Sequence, residues 1–457
     1  CDMPVRGVWY ISGCFNLTDR IFWDCKRDTM HLSIENVGKV KFADIEIAGI
    51  TVIAGENNAG KSTLGEVLFA VFNCFHDPDE LIRREKVESV FRALRNLRYL
   101  GSRTVPSPRR FRADAVAQEI VDRFSDSDMT ILEVREIIAE ALFASDESGV
   151  LNNSEVRENI ETVSERIIER LSIPDDALFE AVLESSLNEE FNDQITNIYS
   201  DEPARIVLRI RDQISEIVVE GSTVECLSDI LHLNTEAVYL DDPFALDDAL
   251  TPFFSRQSGH RGHAQTLIRR SARPDRSSQT KLDYIVASSK LEDIYQAIDS
   301  VCSGRIVRGG SAGAGGYLAP GTDKLLDVRN LSSGVKTFAI IKHLLQNGII
   351  EENGTLILDE PEVHLHPEWQ ILFAELIVML QKQFDLHILL NTHSPYFLNA
   401  IQVYAQKHGI AETCRYSQAV SQGHFSVIED VTDNVERIYE KLAAPFQVLE
   451  KESYGVA

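Results

Sequence analysis

The stretch "GENNAGKST" (Gly55–Thr63) decides the fold of this chain. It fits the pattern GxxxxGK[ST] and lies between an apolar run, "GITVIAG" (Gly49–Gly55), and an apolar, helix-like segment that begins at residue 62. The glycines let successive backbone N–H groups turn toward one point, and the helix start adds unpaired N–H groups and its dipole. Strand, loop and helix in this order predict a phosphate-binding loop in an α/β fold.

The side chains of this loop suggest individual roles. Lys61 is long enough to reach the β- and γ-phosphates of a nucleotide, and the Ser62 hydroxyl is a suitable ligand for Mg²⁺. ATP with Mg²⁺ is therefore the predicted cofactor pair. The other loop residues that we predict to bind the nucleotide are Gly55, Asn57, Asn58, Gly60 and Thr63.

A second apolar strand ends in two acids. In "GTLILDEPEVHLHPEWQ" (Gly354–Gln370), the run "LIL" leads directly to Asp359 and Glu360. Open α/β sheets bind their ligands at the carboxyl ends of the strands, which is where these side chains would lie. We predict that Asp359 holds Mg²⁺ through water, and that Glu360 orients and deprotonates the attacking water.

A third apolar strand ends at a histidine. In "LHILLNTHSPYFLNAI" (Leu386–Ile401), His393 follows the strand, and one helical segment separates this strand from the acidic one. An imidazole at such a position can hydrogen-bond a γ-phosphate, although a histidine there can also be purely structural. Its position after the acidic strand favours a catalytic role for His393 beside Glu360.

The segment "AVYLDDPFALDD" (Ala237–Asp248) has the same form of strand followed by acids, here Asp241 and Asp242. Its second acid is the shorter aspartate, and it precedes the segment "NLSSGVKTFAIIKHLL" (Asn330–Leu345), whereas the acidic strand follows that segment. We interpret it as a structural strand end or a secondary polar contact, and a direct role in the site stays open.

A second loop of phosphate-binding type lies late in the chain, in "NLSSGVKTFAIIKHLL" (Asn330–Leu345). Two serines and a glycine stand directly before a helix, where unpaired N–H groups accumulate. Since the first loop already covers one side of the nucleotide, the second is expected to face the ATP of another copy of the chain. The residues assigned to that contact are Ser332, Ser333, Gly334 and Lys336.

These four motifs, in this order, resemble those of the ABC-type ATPase head shared by SMC, RecF and OLD proteins of the AAA class. "GENNAGKST" resembles the Walker A loop, "LSSGVK" the ABC signature, "LILDEPE" Walker B and "NTHSP" the switch-histidine loop. The signature departs from the usual LSGG, because Ser333 replaces its first glycine. The resemblance also implies a Q-loop glutamine, for which Gln194 is the first candidate and Gln118 the weaker one.

Within that class the chain is most similar to the ATPase subunit of Septu anti-phage systems, whose partner is a separately encoded HNH nuclease. This resemblance implies a head-to-head dimer, or a higher oligomer, that regulates a nuclease effector supplied in trans. No HNH constellation is visible in the sequence, and only 64 residues follow His393, which is too few for a Toprim-type nuclease. The alternative is a DNA-repair ATPase of RecF or SMC type that acts directly on DNA, and a nucleotide-gated interaction protein with negligible turnover is a third possibility.

Composition limits the remaining possibilities. With 457 residues, the chain is long enough for two or three modules. We predict an α/β, ABC-type P-loop ATPase head over 30–76 and 201–457, an inserted helical domain over 77–200, and an N-terminal extension over 1–29. No membrane-spanning run is present, and seven scattered cysteines without a CxxC pair predict a cytoplasmic protein.

Charge is distributed unevenly along the chain. The formal net charge of −26 argues against a general nucleic-acid coat. Two stretches, 81–112 and 256–281, are nevertheless strongly basic. They are either solvated helix and loop surfaces or surfaces for nucleic acid or an acidic partner, so binding of nucleic acid stays possible.

Overall fold

The computed structural model describes residues 29–95, 97, 112–126, 129–143, 154–250, 258–270, 291–307 and 315–454. Nearly all of the predicted N-terminal extension, and parts of both basic stretches, lie outside the described residues. Within the described ranges, no helix is long and apolar enough to cross a membrane.

After Leu331, helices and buried strands alternate through the segment Leu386–Ile401, as the apolar runs of the sequence predict. The strands are β1 (Met30–Val37), β2 (Val40–Ile47), β3 (Ile50–Gly55), β4 (Ala204–Ile210), β5 (Gln213–Glu220), β6 (Thr223–Cys226), β7 (Ala237–Leu240), β8 (Arg305–Val307), β9 (Gly316–Leu318), β10 (Leu325–Leu326), β11 (Thr355–Asp359), β12 (His387–Thr392), β13 (Cys414–Gln422) and β14 (Phe425–Asp430). The helices are α1 (Lys61–Phe75), α2 (Pro78–Arg95), α3 (Ala113–Asp126), α4 (Ile131–Phe143), α5 (Ser154–Leu171), α6 (Asp175–Phe191), α7 (Ala245–Leu250), α8 (Gly259–Arg269), α9 (Glu292–Asp299), α10 (Ser333–Gln346), α11 (Pro367–Phe384), α12 (Pro395–His408) and α13 (Glu436–Tyr454).

Eleven strands form one mixed sheet in the order β6-β5-β4-β1-β2-β14-β13-β3-β12-β11-β7. One end of the sheet, β13-β3-β12-β11-β7, is parallel throughout, whereas the strands of the other end, β6-β5-β4-β1-β2, pair antiparallel with one another. The strands β3 and β12 are buried along their whole length. Such continuous burial explains their apolar sequences, because parallel strands are covered on both faces.

Alternate residues of the central strands enter two different hydrophobic cores. On β11, Leu356 and Leu358 belong to the core on the side of α10, α11 and α12, whereas Ile357 belongs to the core on the side of α1 and α6. Successive side chains of a strand point to opposite faces, so the two cores lie on opposite sides of the sheet. The prediction of an α/β, ABC-type P-loop head with inserted helices is confirmed.

Helices α2 to α5 have a hydrophobic core of their own, which includes Val90, Leu94, Ile120, Ile138 and Ile167. Helix α6 differs from them, because its buried residues pack into the sheet core beside α1. The last helix before the second part of the head therefore joins the insertion to the sheet. The proposed division into a head over 30–76 and 201–457 and an insertion over 77–200 stays a proposal.

The strand register determines which side chains meet at the edge of the sheet. Asp359 at the end of β11 lies opposite Asn391 of β12, and Thr392 of β12 lies opposite Ala54 of β3. The three strands are parallel, so their carboxyl ends open on the same edge. The phosphate loop, the acidic pair and the histidine loop are thereby brought together.

Candidate nucleotide site

The phosphate loop curves through two residues in the left-handed region. Asn58 has a φ of 59° and Gly60 a φ of 80°, and α1 begins directly afterwards at Lys61. A Cβ atom on Gly60 would come within 2.5 Å of the Val40 Cγ2 atom, so no larger residue fits there without displacing β2. This curvature turns backbone N–H groups toward the inside of the loop, which suits the phosphates of a nucleotide.

Lys61 is held inside this curve. Its Nζ donates to the carbonyl oxygens of Glu56 at 2.9 Å and Gly55 at 3.3 Å, and only 4% of the side chain is exposed. The same ammonium lies 3.7 Å from Oε1 of Glu360. The predicted phosphate lysine and the predicted catalytic acid are therefore neighbours.

Glu360 occupies a strained and well-fixed position. Its φ of 46° lies in the left-handed region, which costs a non-glycine residue roughly 1–2 kcal/mol. The Glu360 N–H donates to the Asn391 carbonyl at 2.9 Å, and its Oε1 lies 3.1 Å from Nδ1 of His393. The backbone turn thus directs the carboxylate toward both Lys61 and His393, which is the arrangement that the proposed general base needs.

Asp359 is oriented by two donors. The Tyr239 hydroxyl donates to Oδ2 at 3.2 Å, and the Asn391 side-chain amide donates to Oδ1 at 3.0 Å. Burial and the nearby charge of Asp359 raise the pKa of Tyr239 well above its usual value, so the tyrosine stays protonated and continues to donate. A fixed carboxylate, together with the half-buried Ser62 hydroxyl in the first turn of α1, offers the oxygen ligands that Mg²⁺ prefers.

Glu362 is a residue of this site that the sequence reasoning did not single out. It is almost fully buried, and its Oε1 accepts the His393 N–H at 3.2 Å and the Thr392 hydroxyl. Burial raises the pKa of this carboxyl group, although the hydrogen bonds oppose the rise. Glu362 therefore fixes the backbone that carries His393, and the only sequence signal was a further glutamate two residues after Glu360.

The second loop begins a separate helix, α10, which packs against α8, α9 and β8. Ser332 is exposed and caps the helix, since its hydroxyl accepts the Val335 N–H at 3.4 Å. Ser333, the first residue of the helix, is half-buried. Gly334 is buried, and a Cβ atom there would lie 2.8 Å from the Trp369 ring.

Lys336 does not face the same way as these serines. It is only 1% exposed, its Nζ lies 2.6 Å from Oδ2 of Asp247, and it stands 4.6 Å above the centre of the Phe244 ring. Lys336, which the sequence assigned to the nucleotide, therefore forms an internal ion pair with Asp247. This leaves the backbone and side chain of Ser332 as the open part of the second loop.

Gln194 lies on another side of the phosphate loop than Asp359 and Glu360. It lines a cavity of about 450 Å³ together with Lys39, Asn58, Tyr199 and His424. The Lys39 Nζ donates to the Asn58 carbonyl at 2.7 Å, and the rings of Tyr199 and His424 stack with centres 4.2 Å apart. The stacked rings offer a flat apolar face on which a nucleotide base can lie. Gln118, the weaker candidate, is exposed on α3 in the helical insertion.

Asp241 and Asp242, the acids after β7, both lie beside the acidic pair of the site. Asp241 accepts the Arg261 Nε–H at 2.8 Å, and its Oδ2 lies 3.3 Å from Nε2 of His260. Burial works against ionisation of Asp241, but the hydrogen bonds and charges of His260 and Arg261 outweigh it and lower its pKa. Asp241 and Asp242 both line a cavity of about 30 Å³ together with Asp359 and Glu360, which is large enough for a single water molecule.

Helix α13 passes beside the phosphate loop. The Lys441 Nζ lies 3.0 Å from Oε1 of Glu56, the residue after the first glycine of the loop. Gly55, Asn57 and His393 also face this helix across an open cavity of about 770 Å³. Helix α13 thus forms one wall of the space above the loop.

A family model described as "AAA domain, putative AbiEii toxin, Type IV TA system" matches residues 50–399. Among curated protein sequences, no match is found. Among solved structures, the chain is similar to the SMC head domain from Thermotoga maritima, with 11% identity and a TM-score of 0.37 over 88% of this chain and 98% of that one. It is also similar to an Smc head domain with an extended coiled coil, bound to the C-terminal domain of ScpA and derived from Pyrococcus furiosus, with 10% identity and a TM-score of 0.40 over 91% and 99% of the two chains.

Proposed function

The chain belongs to the AAA-domain family whose model spans residues 50–399, and on this premise we propose that it binds and slowly hydrolyses ATP as a subunit of a bacterial anti-phage defence complex. In this proposal ATP drives two heads together, and the paired heads scaffold and regulate a nuclease encoded in trans. One observation carries the enzymatic part: Glu360 lies 3.7 Å from Lys61 and 3.1 Å from His393.

Binding begins at the phosphate loop. The N–H groups around Asn58 and Gly60 receive the phosphate oxygens, and Lys61 exchanges part of its contact with Glu360 for the β- and γ-phosphates. Ser62 and Asp359 are the residues that would hold Mg²⁺, which when bound neutralises charge on the phosphates. The carboxylate of Asp359 is already oriented for this task by Tyr239 and Asn391.

Hydrolysis depends on Glu360. Once Lys61 contacts the phosphates, the Glu360 carboxylate is free to accept a proton from the water that attacks the γ-phosphorus atom. His393 lies beside it and donates a hydrogen bond to the γ-phosphate. The fixed left-handed backbone of Glu360 keeps the base in place before ATP arrives, so little reorganisation is needed at the moment of reaction.

Pairing of two heads would complete the site. Ser332 is exposed at the start of α10, where free N–H groups can meet a phosphate from outside the chain. A γ-phosphate that contacts this surface of a second copy favours the paired state by the free energy of that contact. Turnover of ATP then releases the pair.

The defence role rests on two supports of different kinds. The motif order and the helical insertion resemble those of Septu ATPase subunits, and the family description names an AbiEii toxin and a type IV TA system. A cytoplasmic complex with a separate, HNH-type nuclease fits this resemblance. Co-purification of the chain with the product of a neighbouring nuclease gene would test it, and a chain that restricts phage without any partner would contradict it.

Replacement Glu360→Gln tests the enzymatic part. The amide keeps the shape but cannot accept the proton, so we expect phosphate release to fall at least ~100-fold, which corresponds to ~2.7 kcal/mol. ATP affinity should change less than about threefold, and ATP-dependent self-association should last longer. Phosphate release, fluorescent-nucleotide binding and sedimentation measure the three quantities.

Glu352→Gln is the matched control, because Glu352 is an exposed acid shortly before β11. It should hydrolyse ATP at the wild-type rate. If Glu360→Gln also retains the wild-type rate, Glu360 is not the base.

A further inference from the structure

A cleft of about 690 Å³ opens between helices α2 and α5, in a part of the chain that the nucleotide site does not use. Four arginines line it: Arg92 and Arg95 from α2, and Arg166 and Arg170 from α5. Among the residues that the structure describes, one acid, Glu85, lines it as well. This concentration of positive charge is unexpected in a chain whose formal net charge is −26.

Helical spacing explains how the arginines come to share one cleft. On α5, Thr162, Arg166 and Arg170 follow each other at intervals of four residues, so they lie on one face of the helix. On α2, Ser89 and Arg92 are three residues apart and face the same opening. Two faces of like charge are therefore turned toward each other, an arrangement that an anion between them stabilises.

The guanidinium groups of the cleft form few and weak contacts within the described part of the protein. Arg92 donates to Glu88 at 2.8 Å, and Arg170 donates to the Ser89 carbonyl at 3.1 Å. An exposed ion pair such as Arg92–Glu88 contributes roughly 0–1 kcal/mol, and the Arg170 hydrogen bond is exposed as well, so an incoming phosphate can replace both contacts. For Arg95 and Arg166, the part of the chain that the structure describes provides no hydrogen bond or ion pair.

The floor of the cleft is apolar and is part of the hydrophobic core of the insertion. Leu97 and Val163 are buried in it, and Ala93 and Leu178 also line it. Leu97 and Val163 also belong to the hydrophobic core of the insertion, which fixes the two walls relative to each other. An apolar floor between arginine walls accommodates the sugars and base faces of nucleotides while the walls contact their phosphates.

We propose that this cleft binds the phosphate backbone of a single-stranded nucleic acid. A guanidinium presents a planar fork of donors that matches two phosphate oxygens, which makes arginine the suitable residue. The arginines are exposed along an open groove, whereas a small nucleotide is normally enclosed on most of its surface. An open groove of this kind suits a strand that enters at one end and leaves at the other. This inference does not depend on ATP hydrolysis.

The test uses the full-length protein and a fluorescein-labelled oligothymidylate of about 20 nucleotides. Fluorescence anisotropy is measured between about 50 and 200 mM NaCl for the wild type and for the double variant Arg95→Gln, Arg166→Gln. We expect the wild type to bind with a Kd of ~10 µM or tighter at the lowest salt, in the range of sequence-independent binding. The double variant should bind ~10-fold more weakly, and its salt slope should be shallower by about 1.4, because two phosphate contacts are lost.

The control variant Arg84→Gln, Arg157→Gln removes the same charge from the same two helices. Arg84 and Arg157 are exposed and do not line the cleft. It should reduce affinity less than about twofold, and both variants should unfold at the wild-type temperature. The proposal is overturned if the wild type shows no binding at the lowest salt, if the two double variants lose equal affinity, or if free thymidine monophosphate at the same nucleotide concentration displaces the strand.

Discussion

The two loops that precede α1 and α10 contain the same kinds of residue, yet the structure uses them differently. In the first, Lys61 is the first residue of its helix, and its ammonium stays inside the loop beside Glu360. In the second, Lys336 is the fourth residue of its helix, and its ammonium is buried against Asp247. Three residues along a helix rotate the direction of a side chain by about 300°. The lysine at the first position can therefore reach a phosphate in the loop, whereas the lysine at the fourth position points into the protein and forms an ion pair. The position of the lysine on the helix, rather than its presence near glycine and serine, determines what each loop can bind.

The strongest test of this difference is the pair of variants Lys61→Met and Lys336→Met. Lys61→Met removes the buried ammonium that the phosphate loop encloses, so we expect ATP affinity to fall ~100-fold or more, about 2.7 kcal/mol. Its melting temperature should stay within about 2 °C of the wild type. Isothermal titration with ATP and thermal unfolding measure the two effects.

Lys336→Met should behave in the opposite way. It leaves Asp247 without its ammonium partner in a mostly buried setting, so we expect a loss of about 2 kcal/mol in the free energy of unfolding. ATP affinity should stay within about twofold. If Lys336→Met instead weakens ATP binding ~10-fold without destabilising the protein, the second lysine is a nucleotide ligand and the contrast fails.

A smaller effect is expected from Ser332→Arg, which tests whether the second loop acts on another copy. Ser332 is exposed, so the larger side chain disturbs an interface more than the fold. ATP binding should change less than twofold, while hydrolysis at high protein concentration should fall ~10-fold. Phosphate release is measured across a dilution series, together with the oligomeric state by sedimentation.

Gly334→Ala shows why the serine is the cleaner probe. A Cβ atom there would overlap the Trp369 ring, so the substitution costs about 1–3 kcal/mol of stability and confuses folding with pairing. Ser332→Ala, by contrast, loses only the helix cap, about 1 kcal/mol. If Ser332→Arg hydrolyses ATP normally as a dilute monomer, the second loop does not act in trans.

The sequence was sufficient for the parts of the molecule that local pattern determines. The apolar strand before Gly55 and the strand that ends at Asp359 are recognisable from a few residues, and parallel pairing then brings their ends together. The role of Glu362 could not be predicted from the sequence, because it depends on a backbone N–H thirty-one residues away. The arginine cleft could not be predicted as a binding site, because its two walls are distant in sequence and meet only when α2 and α5 pack together. Tertiary contacts of this kind leave no periodic signal along the chain.

The smallest expected effect concerns a second difference between α1 and α10, in the charged groups that surround Glu66 on α1 and Lys336 on α10. Lys336 has a close partner, but Glu66 of α1 faces His260, Glu190, Asp359 and Asp241, of which only His260 opposes its charge. Burial is the main cause that raises the pKa of Glu66 from 4.5 to about 7, while His260 works against the rise. In the unfolded chain Glu66 ionises near pH 4.5, so folding takes up a proton between pH 4.5 and about 7, and the free energy of unfolding falls as pH rises through that window.

The variant Glu66→Gln does not ionise and should therefore gain stability relative to the wild type over the same window. We expect a gain on the order of 1 kcal/mol, reduced by partial solvent contact, with a plateau above about pH 7. Urea unfolding at pH 5 and pH 8 measures it, with Glu352→Gln as the exposed control that should show no such change. A gain of equal size at both pH values would mean that the glutamine acts through packing rather than through the charge of Glu66.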